Sequence, residues 1–178
     1  MPKSRLWIPA LFALIATTAL MVGQDKKPLS PPGQATMSFA DGKTVTIDYS
    51  RPSMRGRKIM GELVPFDKVW RTGANAATSL KTDVNLSIGG TAVPAGSYTL
   101  YTLPKADGWM LIVNKQTGQW GTKYDQSQDL ARIPMKVAKA SSPVEQFTIS
   151  FVKSGGESAM LKMEWENTVA SVDVKGQK

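Results

Sequence analysis

The chain contains no cysteine and no histidine in 178 residues. Without histidine there is no Ser-His-Asp or Cys-His catalytic unit and no side chain that titrates near neutrality unaided. Zinc and copper sites of the usual kinds are excluded with those two residues, so neither a metal nor another cofactor is expected. Disulfides are excluded as well, and no thiol can carry a lipid, so stability must come from an apolar core. Helical patterning is missing too: beyond residue 24 no stretch of 12 or more residues repeats apolar side chains at i, i+3 and i+4. Nor is there an internal repeat of fixed period, which sets aside propellers and solenoids.

What is present begins with charge. Twenty-two basic residues face 14 acidic ones, a net +8, and without Lys3 and Arg5 the balance is 20 to 14, or +6. A basic surface favours anionic partners in general and also serves solubility. Residues 1–24 have the pattern of a secretory signal peptide: Lys3 and Arg5, then an apolar run over 6–22, then small or neutral residues before Asp25. Pro9 and the modest run length argue against a full membrane span, which needs about 20 apolar residues. The expected location is therefore periplasmic or extracellular, with membrane contact only through the leader if it stays uncleaved. Residues 25–34, DKKPLSPPGQ, read as a Pro-rich extended tether. The remainder, 35–175, is long enough for one substantial core and short for two.

That remainder reads as strands. Residues 36–39 and 43–49 flank an Asp41-Gly42 turn; 78–82, 85–88, 91–93, 98–103 and 109–113 follow, with Gly89-Gly90 and Asp107-Gly108 at turns. Further strands are predicted over 133–137, 147–152, 160–165 and 170–174. Along 98–103 both alternating sets are bulky, so both faces of that strand should be covered. Many short strands between Gly, Pro and Asp turns predict an all-β fold: a single-domain antiparallel β-sandwich, jelly-roll-like, of about eight to ten strands with two long ordered loops. Helix is expected only as a turn or two, within 61–68 or 126–130.

The two loops carry the chemistry. Residues 51–75 lack period-two alternation and contain five Gly or Pro positions, and loops of this length in compact domains are functional more often than short ones. With Tyr49 they bring together Arg51, Arg55, Arg57, Lys58, Lys68, Arg71, Trp70 and Asn75, interrupted by Glu62 and Asp67. That interruption separates the stretch from a polycationic nucleic-acid tail, so no nucleic-acid partner is expected. Guanidinium groups offer planar, paired donors to carboxylate or phosphate. The competing reading pins Arg51 and Arg71 to Asp48, Asp67 or Glu62. The second loop, 114–129, holds Trp120, Gly121 and Tyr124, whose rings could stack on a flat ligand. Trp70, which follows Val69 in a short apolar piece, reads first as a cap on the core, whereas Trp120 could equally cap the core or meet a ligand. Asp125-Gln126-Ser127-Gln128-Asp129 has alternating oxygen groups, yet Leu130 stands where a calcium loop turns on Gly and Lys136 where it closes on Glu. Glu62 with Asp67, or Glu164 with Glu166, could serve as the acid pair of a histidine-free hydrolase.

The strings DYSRPSMRGRKIMGELVPFDKVWRTGANAAT, IGGTAVPAGSYTLYTLP, LIVNKQTGQWGTKYD and LKMEWENTVASVDV, in that order, resemble the bacterial domain-of-unknown-function family numbered 2911 over nearly all of 31–174. The resemblance implies an exported, β-rich bacterial domain with no assigned activity. In that family the residue after the Gly-Ala-Asn of the central motif is commonly Glu, where this chain has Ala76.

Together these readings give a non-enzymatic exported binding module for a small anionic or saccharide-like ligand, sited where the two loops meet. The ligand-binding set is Tyr49, Arg51, Arg55, Arg57, Trp70, Arg71, Asn75, Trp120 and Tyr124. The alternatives are an envelope structural or protein-interaction module docking an unspecified protein through its loops, and the carboxylate hydrolase.

Overall fold

The computed structural model describes residues 29–177. The expected leader and all but the end of the tether lie outside them. The elements are β1 (Pro32–Ser38), β2 (Thr44–Ser50), β3 (Thr78–Thr82), β4 (Asn85–Ile88), β5 (Thr91–Val93), β6 (Gly96–Pro104), β7 (Trp109–Asn114), β8 (Asp129–Gly155) and β9 (Ser158–Gln177), with a single 3-10 turn at Gln126–Gln128. The fold is all-β. The strands form one antiparallel sheet in the order β1-β2-β3-β6-β7-β8-β9-β4-β5, which does not close into a barrel.

Two long strands let one sheet make two layers. Residues 129–135 of β8 pair with β7, whereas from Lys136 onward β8 pairs with β9, with the register shifting between Lys139 and Val144 and again before Thr148. Shifts of this kind bend a strand and raise its twist. Sequence patterning predicts four short strands here, but 133–137 and 147–152 are parts of β8, and 160–165 and 170–174 parts of β9. The run 138–146 shows no alternation because all of it is at least partly exposed, yet it stays in the strand, paired with β9 at Ala138, Lys139 and Val144 on either side of the register shift. Between the layers lies one apolar cluster, in which Val45, Ile47, Leu80, Leu100, Leu111 and Ile133 meet Phe147, Leu161, Met163, Trp165 and Val174.

β1 starts at Pro32, inside the stretch expected as tether. A Cβ on Gly33 would lie 2.6 Å from Arg51 Cδ and 2.9 Å from Tyr49 Cζ, so glycine is what lets both side chains cross this strand. The doubly covered strand is β6. Its Tyr98 and Leu100 face the core, while Thr99 donates to Gln116 O (2.7 Å) and Tyr101 to Lys123 O (3.1 Å), so the loop after β7 roofs its other side.

Candidate functional site

Residues 51–77, between β2 and β3, form an ordered loop held at three places. Its first residues pair with β8: Met54 N donates to Glu145 O at 2.8 Å and Phe147 N to Pro52 O at 2.9 Å. In its middle, Ile59 and Val64 are buried in the core, with Val64 N donating to Ile59 O at 2.9 Å. Its last part runs beside β6, with Trp70 and Thr102 exchanging backbone hydrogen bonds of 2.8 and 3.0 Å.

Backbone strain is concentrated here. Of five non-glycine residues with positive φ, four lie in this loop: Arg55 (51°), Asp67 (59°), Thr72 (54°) and Asn75 (60°). Thr72 is the most constrained, since a β-branched side chain resists the left-handed region. Its surroundings hold it there: it is fully buried, its hydroxyl donates to Thr102 Oγ1 at 3.1 Å, and its carbonyl accepts from Thr78 Oγ1 at 2.8 Å. Strain costs of about 1–3 kcal/mol per residue persist only when the surrounding structure imposes them. Arg71 and Asn75 flank this strained turn.

The two long loops touch. Gly121 N donates to Asn75 O (3.2 Å), Ala77 N to Gln119 O (3.3 Å), and Ala76 bridges to Trp120. Gly121 is required at that contact, because a Cβ would lie 2.5 Å from Arg71 Cδ and 2.8 Å from Asn75 O. The stem of Arg71 therefore rests on Gly121.

A cleft of about 360 Å³ opens beside this contact, lined by Arg55, Arg57, Arg71, Trp70, Leu63 and Trp165 among others. It falls at the lower end of the ~300–1,000 Å³ typical of small-molecule sites. No Asp or Glu is among its lining residues. Arg55 donates from Nη2 to Leu29 O (3.1 Å), and Arg57 from Nε to Met54 O (2.9 Å) and from Nη2 to Ser53 O (2.8 Å). These side-chain acceptors are neutral carbonyls, and neither guanidinium forms an ion pair among the described residues, although the Glu145 carboxylate accepts from the Arg55 backbone N–H at 2.9 Å. Arg71 has no hydrogen-bond or ion-pair partner among the described residues, and its Nε is closed off from solvent with no acceptor. An unmet buried donor of this kind costs about 1–3 kcal/mol. Trp70 both packs on the core and lines the cleft: it stacks on Trp165 (5.7 Å, 18°) and meets Phe147 and Trp109 edge-on.

The expected site residues thus divide. Arg55, Arg57, Trp70, Arg71 and Asn75 come together at the cleft. Tyr49 and Arg51 are engaged within the fold instead. The Tyr49 hydroxyl donates to Ile149 O (3.3 Å) and accepts from Ile149 N (2.9 Å), while Arg51 donates to Phe147 O (3.3 Å) and Thr148 Oγ1 (2.9 Å). Both are drawn inward because the glycine at position 33 leaves them a path across β1. Trp120 is 56 % exposed and, like Tyr124, is not among the cleft's lining residues. The second loop meets the first through Gly121, on which the Arg71 stem rests. Tyr124 packs on Tyr101, donates to Asp129 Oδ2 (2.7 Å) and accepts from Arg132 Nη2 (2.6 Å). Burial, followed by the Asp129 carboxylate, pushes its phenol up to about 12. Trp165, Leu63 and Pro52 are cleft residues that sequence reading did not select. Trp165 reads as a core residue because it is one, at 2 % exposure; only packing shows that its remaining surface faces the cleft.

The carboxylates weighed as an acid pair do not line this cleft. Glu62 pairs with the exposed Lys58 (3.4 Å), Glu164 with Lys162 (3.1 Å), Glu166 accepts from Met60 N (3.0 Å), and none of these nor Asp67 lines the cleft. In the segment weighed as a calcium loop, Asp125 accepts from Ser127 N (2.9 Å) and Oγ (2.7 Å), which holds its carboxyl below the usual range, and Asp129 is bound by Asn114, Tyr124 and Arg132. Among the described residues no group of three or more metal-ligating side chains is present.

Comparison with curated proteins gave no match, and comparison with solved structures gave none either. The profile of the family described as protein of unknown function (DUF2911) matches residues 30–174, a span that takes in every strand and both long loops apart from the last residues of β9. The chain belongs to that family.

Proposed function

We propose that this domain is an exported binding module for a small anionic ligand, held in the cleft by Arg71 with help from Arg55 and Arg57. The observation that carries the reading is the composition of the cleft wall: three guanidinium groups, no carboxylate, and Arg71 without a partner among the described residues. Surface arginines ordinarily find a carboxylate or stand in water. Here one is propped on Gly121, beside a strained turn, with its buried Nε unmet. Charge-assisted hydrogen bonds to such a group contribute about 1.5–3 kcal/mol each. The saccharide alternative has less support, since Trp120 and Tyr124 do not line the cleft.

The test is isothermal titration of the protein with inorganic phosphate, sulfate, acetate and citrate, repeated on Arg71→Ala. Binding of at least one anion, weakened about 10- to 100-fold by the substitution, is expected from one lost charge-assisted contact. Equal affinity in the variant, or no binding of any anion, would overturn the reading.

A further inference from the structure

The cleft is ordered in polarity with depth. The lining residues that are buried are apolar: Pro52, Val64, Gly73, Ala74 and Trp165. Those that are exposed include the cations Arg55 and Arg57, together with Leu63 at 44 % and Leu29 at 70 % exposure. Trp70 and Arg71 stand at intermediate exposure between the two zones. A bare hydrated ion has no reason to occupy the bottom of such a cleft, where losing its water would go uncompensated. A purely apolar molecule would leave the cationic mouth unmatched. Resting on the anion-binding reading above, the geometry points to a narrower ligand class: a small amphiphilic anion. Its carboxylate or phosphate head sits at the mouth on Arg71, Arg55 and Arg57, and a compact apolar or aromatic body lies against the partly exposed Trp70, above the buried Val64 and Trp165 that close the floor of the cleft.

Each half of the ligand has a matching surface. Trp70 is held nearly parallel to Trp165, and its other aromatic neighbours, Phe147 and Trp109, meet it edge-on, so its place does not depend on a ligand. Rigid indole surface takes up a flat or branched apolar body with little loss of conformational freedom. The volume of about 360 Å³ limits that body to roughly the size of a ring or a short branched chain rather than a long acyl tail. Leu63, two-fifths exposed at the mouth, then sits between head and body, where it can shield the apolar part from water.

Titration calorimetry of the full chain with matched pairs decides the matter: acetate against phenylacetate, inorganic phosphate against phenyl phosphate, and neutral 2-phenylacetamide as the uncharged control. The proposal expects the ring-bearing anion of each pair to bind at least tenfold tighter than its bare head group, and phenylacetamide at least tenfold more weakly than phenylacetate. Leu63→Ser should reduce phenylacetate affinity severalfold more than phosphate affinity, with thermal unfolding of the variant measured alongside; an equal reduction for both would count against the amphiphile. Equal affinity within each pair would overturn the amphiphile and leave the anion site standing. Phenylacetamide binding as well as phenylacetate would remove the need for a charged head and overturn both readings, as would the absence of binding by every probe.

Discussion

Arg71 shows how much a single side chain depends on neighbours remote in sequence. Its stem lies on Gly121, its backbone leads into Thr72 at positive φ, and its charge has no partner among the described residues. In Gly121→Ala the new methyl would collide with Arg71 Cδ and, less yieldingly, with the backbone oxygen of Asn75. Overpacking against backbone costs about 1–3 kcal/mol. The variant should therefore lose about that much stability in urea unfolding and lose anion affinity with it; wild-type affinity would show that Arg71 needs no such support. Tyr124 makes a separate prediction. Its phenol is neutral when protonated and titrates at about 12 in the fold rather than at 10.0, so the folded state holds the proton more tightly than the unfolded chain. The associated stability is complete below pH 10 and is lost as pH rises towards 12. Thermal unfolding between pH 9 and 12 should fall more steeply for the native chain than for Tyr124→Phe, whereas parallel curves would contradict the assignment.

At the scale of elements, the strands are legible in sequence wherever one face is buried. β2 and β3 alternate because Val45, Ile47 and Leu80 point into the core and their neighbours do not. β8 and β9 defeat the same reasoning. Over 136–146 nearly every residue is exposed, at least in part, so no hydrophobic period marks the strand that backbone pairing nonetheless maintains. The tie between β2 and β8 was equally hidden, because it rests on Tyr49, a hundred residues away from Ile149 in sequence. Removing that hydroxyl strands a buried carbonyl and a buried N–H together. Tyr49→Phe should cost about 1–3 kcal/mol in chemical denaturation and leave anion binding within twofold, since the ring lies outside the cleft. A large loss of binding with little loss of stability would restore Tyr49 to the site.

For the molecule as a whole, composition sets broad limits and the leader sets the expected address. An N-terminal charged start followed by the apolar run over 6–22 predicts that the protein recovered outside the cytoplasm begins near residue 24 or 25. N-terminal sequencing of that material checks it; an intact Met1 in a soluble cytoplasmic fraction would contradict export. The net positive charge is carried mostly by scattered residues, as a solubilising surface charge would be, whereas the cleft gathers Arg55, Arg57 and Arg71 with no Asp or Glu among its lining residues.

By itself the sequence determined the chemistry that is absent, the all-β class, most strand positions and the stretch where cations gather, because residue type and local period suffice for each of these. It could not determine which arginines remain free. That is decided by distances between segments far apart in the chain: Gly33 lets Arg51 reach β8, the 114–129 loop brings Gly121 beneath Arg71, and β9 carries Trp165 to the bottom of the cleft. The tertiary structure thus turned a dense basic run into one cleft lined by three guanidinium groups, of which Arg71 alone has no partner among the described residues. It also placed the Trp70–Trp165 pair, and neither Trp120 nor Tyr124, along the cleft, since packing across two layers, rather than loop composition, fixes which rings line it.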